Sequence, residues 1–251
     1  MNPSVSWSTT VRILTQLRRD RRTVFMILLV PAVLTLLLHY VLSRQPAGPD
    51  GRTPFDRLAI MQLGVLPCAV MFPVTAITMR RERSTGTLDR LFATPMTKLD
   101  LLAGYGVAFS IAAAAQAGIV AFVAFRVTHL NIDGNPFLVL MISMLGAVLG
   151  VTLGLFFSAF AATEFQAVQF GPLVLVPQLF LAGVLVPRES MPGGLQAVSD
   201  VLPLSYAVEA LQEVSTHPGA TLRMWHDTGI IAVFIVAAVL GGAATLQRRT
   251  R

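Results

Sequence analysis

The sequence predicts an all-α membrane protein with six transmembrane helices, on three observations. Hydrophobic residues fill 54% of its 251 positions and charged residues 13%, about half the charged fraction of roughly 25% usual in soluble domains. Six charge-free intervals lie between Arg22 and Arg44, Arg57 and Arg80, Asp100 and Arg126, Asp133 and Glu164, Glu164 and Arg188, and Asp227 and Arg248. Each is 20 to 30 residues long, and about 20 apolar residues cross the roughly 30 Å of bilayer hydrocarbon. No strand alternation runs through these intervals, so backbone groups in lipid must pair within helices.

The elements follow in order. Over residues 1–22, Trp7, Val11 and Leu14 recur at helical spacing, Ile13 and Leu17 widen the stripe, and arginines fill much of the remainder. That is the pattern of a helix lying in the membrane interface; a basic tail that only enforces topology is the plainer alternative. The first span, 23–43, follows this basic stretch as a signal peptide's apolar region would. With no small-residue cleavage pattern in "LSRQPAG" and five further spans, it is expected to be retained. The second span, 59–79, contains Pro67 and Pro73, and the fifth, 168–187, contains Pro172 and Pro177; proline frees backbone groups and permits kinks.

Between the second and third spans, residues 80–98 read "RRERSTGTLDRLFATPMTK". Gly86 interrupts the polar run, Thr87 can cap, and Leu88, Leu91 and Phe92 share one face of a short helix. Pro95 ends that helix by biasing Thr94 out of helical geometry. Its apolar edge could meet lipid headgroups, the protein's own helices or a partner protein. "TKLD" then has the form of a capping box, placing Thr97 at the start of the third span, 101–125. In the fourth span, 138–160, Gly146, Gly150 and Gly154 recur every four residues, and such GxxxG patterns let another helix approach closely, inside the protomer or across a subunit seam. Pro187, Pro192, Gly193, Gly194 and Pro203 break the 188–216 region into short pieces. Leu195, Val198 and Leu202 form an amphipathic stripe there, and Ser205 is placed to cap a second helix through Val208 and Leu211. The last span covers 228–247.

Orientation follows from the cations. The N-terminal stretch, the 80–98 loop and the tail hold 13 of the 19 lysines and arginines, so both termini and that loop are expected to be cytoplasmic. The pI near 10.6 is then accounted for by topology and anionic lipid, without nucleic acid as a partner. Eighteen arginines against one lysine, with abundant Ala and Gly, point to a GC-rich bacterial genome and hence a bacterial inner membrane.

Catalytic constellations are missing from the pattern. His39, His129, His217 and His226 lack metal-ligand spacing, no serine lies in GxSxG, and Cys68 has no neighbouring base. The single lysine, Lys98, is not in a Gly-Lys-Ser/Thr context, so no phosphate-cradling loop is present. No span centre carries an ionisable group, and Gln62, Gln116, Gln169 and Gln178 read as interhelical hydrogen-bond partners.

"RERSTGTLDRLFATP" resembles the first cytoplasmic loop of type-2 ABC exporter permeases, a pattern that falls here on Glu82, Gly86, Thr87, Leu88, Asp89, Leu91, Thr94 and Pro95. A second stretch, 181–211, is similar to that family's segment after the fifth span, on Gly183, Pro187, Met191, Pro192, Pro203, Leu204, Tyr206, Ala207 and Glu209. With the six spans, the resemblance covers nearly the whole chain. It implies that the loop, including Arg83 and Phe92, is a coupling helix seated in a separate ATPase subunit, which binds the ATP and Mg that this chain does not. It implies also that residues 1–22 are a connecting helix and that 188–216 form a re-entrant hairpin lidding the exit, with Gly183, Pro187, Pro192, Pro203, Tyr206 and Glu209 as an external gate; an amphipathic loop resting on the outer leaflet is the alternative. The implied assembly pairs this permease with a second copy or paralogue and two ATPase subunits, and exports an amphipathic drug, antibiotic or lipid. The short form without a fused nucleotide-binding domain resembles daunorubicin-resistance and nodulation permeases, and the lack of a large periplasmic domain argues against the lipoprotein-release branch. The alternatives are a membrane-embedded lipid-modifying enzyme and a non-transporting scaffold or sensor.

Overall fold

A computed structural model describes residues 3–49, 51–87, 97–184 and 186–245. Among them are nine α-helices and no strand. Helix α1 (Pro3–Arg19) is divided from α2 (Arg21–Leu42) by Asp20, whose carboxylate accepts from the Thr23 amide and caps α2. Helix α3 (Pro54–Ser84) opens with a capping box in which Thr53 and Asp56 satisfy each other's backbone amides. Helix α4 (Lys98–Phe122) opens with the equivalent box on Thr97 and Asp100 and ends in a π turn over Val123–Val127. Then come α5 (Pro136–Phe157), α6 (Glu164–Leu181), a 3₁₀ turn over Arg188–Ser190, α7 (Gly193–Asp200), α8 (Pro203–Thr216) and α9 (Leu222–Thr245).

Five of these helices, α2, α3, α4 with its π turn, α5 and α9, are long and apolar enough to cross a membrane. The helix in the fifth predicted span is displaced: it covers Glu164–Leu181 rather than 168–187. It starts early because Thr163 accepts from the Gln166 amide and caps it. It stops early because the chain turns through Gly183 at φ +81°. Eighteen residues rise about 27 Å, a little under the hydrocarbon thickness of about 30 Å.

The bundle is organised around α3, which packs against α2, α4, α5, α6 and α8. Its 31 residues rise about 46 Å, so its ends project past the hydrocarbon. The α3–α5 contact is the most extensive and is a backbone contact. A Cβ on Gly150 would lie 2.4 Å from the Cys68 carbonyl oxygen, and one on Gly154 would lie 2.4 Å from the Phe72 carbonyl oxygen. Gly146 faces the Gly64 carbonyl with more room, at 3.4 Å. Toward α1 the core is Ile13, Ile27, Met71, Met79, Leu101, Tyr105 and Phe109; toward the opposite end it is Phe55, Ile60, Leu63, Val139, Ile142, Leu211 and Val214.

Helix α1 docks on α4 through part of the predicted stripe and two threonines beside it: Thr9, Thr10 and Ile13 are buried and Leu14 and Leu17 pack against the same core, whereas Trp7 and Val11 point outward. The reason is Gly104, where the chains come so close that a Cβ would sit 2.6 Å from Thr9 Cβ, and whose carbonyl accepts from the Thr10 hydroxyl at 3.2 Å. The buried threonines answer their own helix as well, donating to Val5 and Ser6 carbonyls.

Candidate functional site

At the α1 end of the bundle, α3 runs unbroken to Ser84 and Thr85 and then turns at Gly86 with φ +69°. Among the described residues, no atom stands within 4 Å of where a Gly86 Cβ would be. What requires glycine there is the left-handed backbone of a helix C-terminus rather than a close approach within the chain. Thr87 follows, its hydroxyl 3.0 Å from that of Thr85. The expected coupling residues Leu88, Asp89, Leu91, Phe92, Thr94 and Pro95 lie outside the described residues.

Glu82 faces inward, and only 6% of it is exposed. The Arg12 guanidinium on α1 meets Glu82 Oε1 at 3.4 Å through Nη1 and donates to the Tyr105 hydroxyl on α4 at 2.9 Å through Nη2. One arginine therefore ties together α1, the end of α3 and α4. A second tie joins α1 to the α4 cap, where Ser6 donates to Asp100 at 3.3 Å. Arg81 clamps Glu164 at the start of α6 with two hydrogen bonds of 3.1 and 3.0 Å, and this holds the Glu164 carboxyl below the usual glutamate range. Arg80 donates to the Ala162 carbonyl in the link between α5 and α6. Arg83 is half-buried and meets no carboxylate among the described residues.

At the opposite end, four of the expected gate residues, Gly183, Pro187, Tyr206 and Glu209, meet around Arg188. Gly183 and Pro187 turn the chain so that Arg188 lies against α8, where it pairs with Glu209 and stacks over the Tyr206 ring at 4.9 Å, and it also pairs with Asp200 at the end of α7. Burial lowers the affinity of Arg188 for its proton, but the bonds to Asp200 and the charge of Glu209 outweigh it and raise its pKa. Tyr206 donates to the Asp200 carbonyl at 2.6 Å, and Arg223 at the start of α9 pairs with Glu209 and Glu189. Pro192 precedes α7, and Pro203 occupies the first turn of α8.

Serine hydroxyls rather than caps hold this hairpin down. Ser205 does not cap α8, which begins at Pro203 without a side-chain cap. Instead Ser199 donates to the Leu181 carbonyl at the end of α6, 2.7 Å away, and sits 3.1 Å from the Ser205 hydroxyl. Gln178 of α6 accepts from the Leu204 amide at 3.3 Å. Helix α8 is thereby sunk into the bundle, with Leu204, Ala207, Val208, Ala210 and Leu211 fully buried, whereas Leu195 and Val198 of α7 face outward. Two clefts flank α8. One of about 180 Å³ is lined by Arg188, Glu209, Gln212 and Arg223, and one of about 280 Å³ by Arg52, Asp56, Asn131, Gln212 and Ser215.

Sequence reasoning did not single out Arg12, Tyr105, Gly104 or Arg188. Tyr105 stands in an apolar run and Arg12 among five basic residues near the N-terminus, so only the fold makes them partners of Glu82. Of the glutamines, Gln62 reaches Thr35 of α2 at 3.3 Å and Gln178 reaches α8.

A family model described as ABC-2 type transporter matches residues 5–215. The chain is 26% identical over 178 residues to the probable multidrug ABC transporter permease YbhR of Escherichia coli (strain K12), covering 71% of this chain and 48% of that protein. It is 24% identical over 219 residues to the linearmycin resistance permease protein LnrN of Bacillus subtilis (strain 168), covering 87% and 55% respectively. It is 27% identical over 159 residues to ABC transporter G family member 20 of Dictyostelium discoideum, covering 63% of this chain and 22% of that one. The chain thus spans about half the length, or less, of these relatives.

Proposed function

The chain belongs to the ABC-2 type transporter family, and from that premise we propose that it is the transmembrane subunit of an ATP-driven exporter of amphipathic drug, antibiotic or lipid-like molecules. Within residues 80–98, the segment from Gly86 onward seats in a separate ATPase subunit, and a second copy or paralogue completes the pathway. The end bearing α1 and Gly86 faces the cytoplasm of a bacterial cell, and the α7–α8 hairpin lids the exit. ATP and Mg belong to the partner subunit.

The observation that carries this reading is the mechanical continuity at the α1 end. A single unbroken helix, α3, leads from the Arg52–Asp56 cleft to the turn at Gly86, and Arg12 bolts its final turn to α1 and α4. Force applied to the segment after Gly86 would reach three elements together. The words multidrug and linearmycin resistance in the relatives' names support an amphipathic cargo for this chain.

The test is transport into inverted vesicles containing the chain and its co-expressed ATPase, with fluorescent amphipathic dyes and labelled lipid as cargo. Uptake that needs ATP and both subunits is expected. Cargo chemically altered by the purified chain alone would favour a lipid-modifying enzyme, and ATPase capture without movement of any cargo would favour a scaffold.

A further inference from the structure

Half-buried arginines elsewhere in this fold meet carboxylates: Arg12 meets Glu82, Arg52 meets Asp133, and Arg188 meets Glu209 and Asp200. Arg80 and Arg83 break that pattern. They stand one turn apart on the same face of α3, so each feels the other's charge. Their Nε groups are enclosed without a hydrogen-bond partner among the described residues. Arg80 spends one Nη on the Ala162 carbonyl; the Glu164 carboxylate feels its charge, but both Glu164 oxygens are taken by Arg81, and no carboxylate meets Arg83 among the described residues. Two like charges partly withdrawn from water call for an anion with several acceptor oxygens.

The surroundings indicate which anion. Ala162 lies in the six-residue link between the end of α5 at Phe157 and the start of α6 at Glu164, where the chain leaves the hydrocarbon and returns. On that same link Phe160 is 56% exposed, and one turn beyond it Phe165 is 70% exposed. Arg80 reaches Ala162, two residues from Phe160 and three from Phe165, so the cationic pair and exposed aromatic side chains share one end of the bundle, where together they offer donors to a phosphate and an apolar wall to the chains below it. A protein carboxylate would use the cations and leave the wall idle.

We propose that Arg80 and Arg83 seat the phosphate of an anionic phospholipid in the leaflet on the α1 side, with its acyl chains along Phe160 and Phe165. The leaflet is defined by α1, so the site does not depend on the transport reading. It assigns Arg83 to lipid rather than to an ATPase subunit.

The experiment uses the purified full-length chain in dodecyl maltoside and displacement of a fluorescent phosphatidylglycerol. Phosphatidylcholine serves as the zwitterionic reference and inorganic phosphate as the free anion. Arg83→Gln is expected to weaken phosphatidylglycerol roughly fivefold, the effect of about one cation at a charged interface, while Arg83→Lys keeps most of the affinity. Melting of both variants in phosphatidylcholine should match the parent, which shows the fold to be intact. Arg126→Gln, at the other end of the bundle, should change nothing. Undiminished phosphatidylglycerol affinity in Arg83→Gln would overturn the site, as would inorganic phosphate competing as well as the lipid. So would an Arg83→Gln protein that keeps the lipid but loses capture by its co-expressed ATPase, since the anion would then be protein.

Discussion

At the scale of single residues, charge and backbone angle decide what each side chain of the 80–98 loop can do. Glu82 resembles a family docking residue in sequence, yet its carboxylate is spent on Arg12 beside Tyr105. Glu82→Ala should therefore lower the melting temperature, because it leaves a half-buried guanidinium short of its anion at a cost of about 1–3 kcal/mol. Adding Arg12→Met should recover part of the loss in a double-mutant cycle, and purely additive losses would show the two groups to be uncoupled. Gly86 makes the opposite case. Its φ is +69°, and none of the described residues crowds the position, so the restriction within them is on the backbone and not on volume. Gly86→Asn should transport nearly normally, since asparagine tolerates the left-handed region, whereas Gly86→Val should lose coupling to the ATPase with little change in melting. Normal vesicle transport by Gly86→Val would reduce this turn to a spacer.

At the scale of elements, the tightest joint is α3 against α5. A Cβ at Gly150 would fall 2.4 Å from a carbonyl oxygen of α3, and backbone cannot step aside as a flexible side chain can. Gly150→Ala should cost about 1–3 kcal/mol through forced separation of the helices, while Gly146→Ala, with 3.4 Å available, should cost much less. Detergent melting of the two variants measures the difference, and equal losses would mean that α5 is free to shift along α3. The Arg81–Glu164 clamp joins α3 to α6 at the surface. Its depressed carboxyl means that its contribution is complete above the ordinary glutamate range and is lost only as the pH falls through the lowered value. Both groups are well exposed, so the effect on stability is small. In the hairpin at the other end, Arg188 is the cation that joins α7 to α8. Arg188→Ala removes the contacts to Glu209, Asp200 and Tyr206 together, so amide exchange in α7 should quicken severalfold while α8, buried on its own apolar face, stays protected. Equal acceleration in both helices would show them to move as one body.

At the scale of the whole molecule, the two ends differ in chemistry. One carries α1, a run of arginines and the turn at Gly86; the other carries the clefts and an ion-paired hairpin. Reporters fused after Arg249 and within 85–95 are expected in the cytoplasm, and one near Gly194 outside, because 13 of the 19 cations fall on the first side. A cytoplasmic signal at Gly194 would sink this arrangement. Helix α6 is the element to watch in that experiment, because at 18 residues with three glutamines and two prolines it is the shortest helix in a predicted span.

The sequence by itself determined the helical class, the approximate course of most spans, the capping box at Thr97 and Asp100, and the family pattern on the loop and hairpin. These are local or compositional quantities: apolar length, charge spacing, and side chains that satisfy amides three residues away. Tertiary structure decided the rest, because those outcomes depend on which helices meet. Only packing shows that α1 buries Thr9 and Thr10 against Gly104, that Ser205 serves the Leu181 carbonyl instead of a cap, and that α8 sits inside the bundle rather than on its surface. The same holds for Glu82, whose partners lie 70 residues before it and 23 after. In lipid every apolar face reads alike, so periodicity cannot say which face meets protein; close backbone approach at glycines and the pairing of polar groups fix that choice.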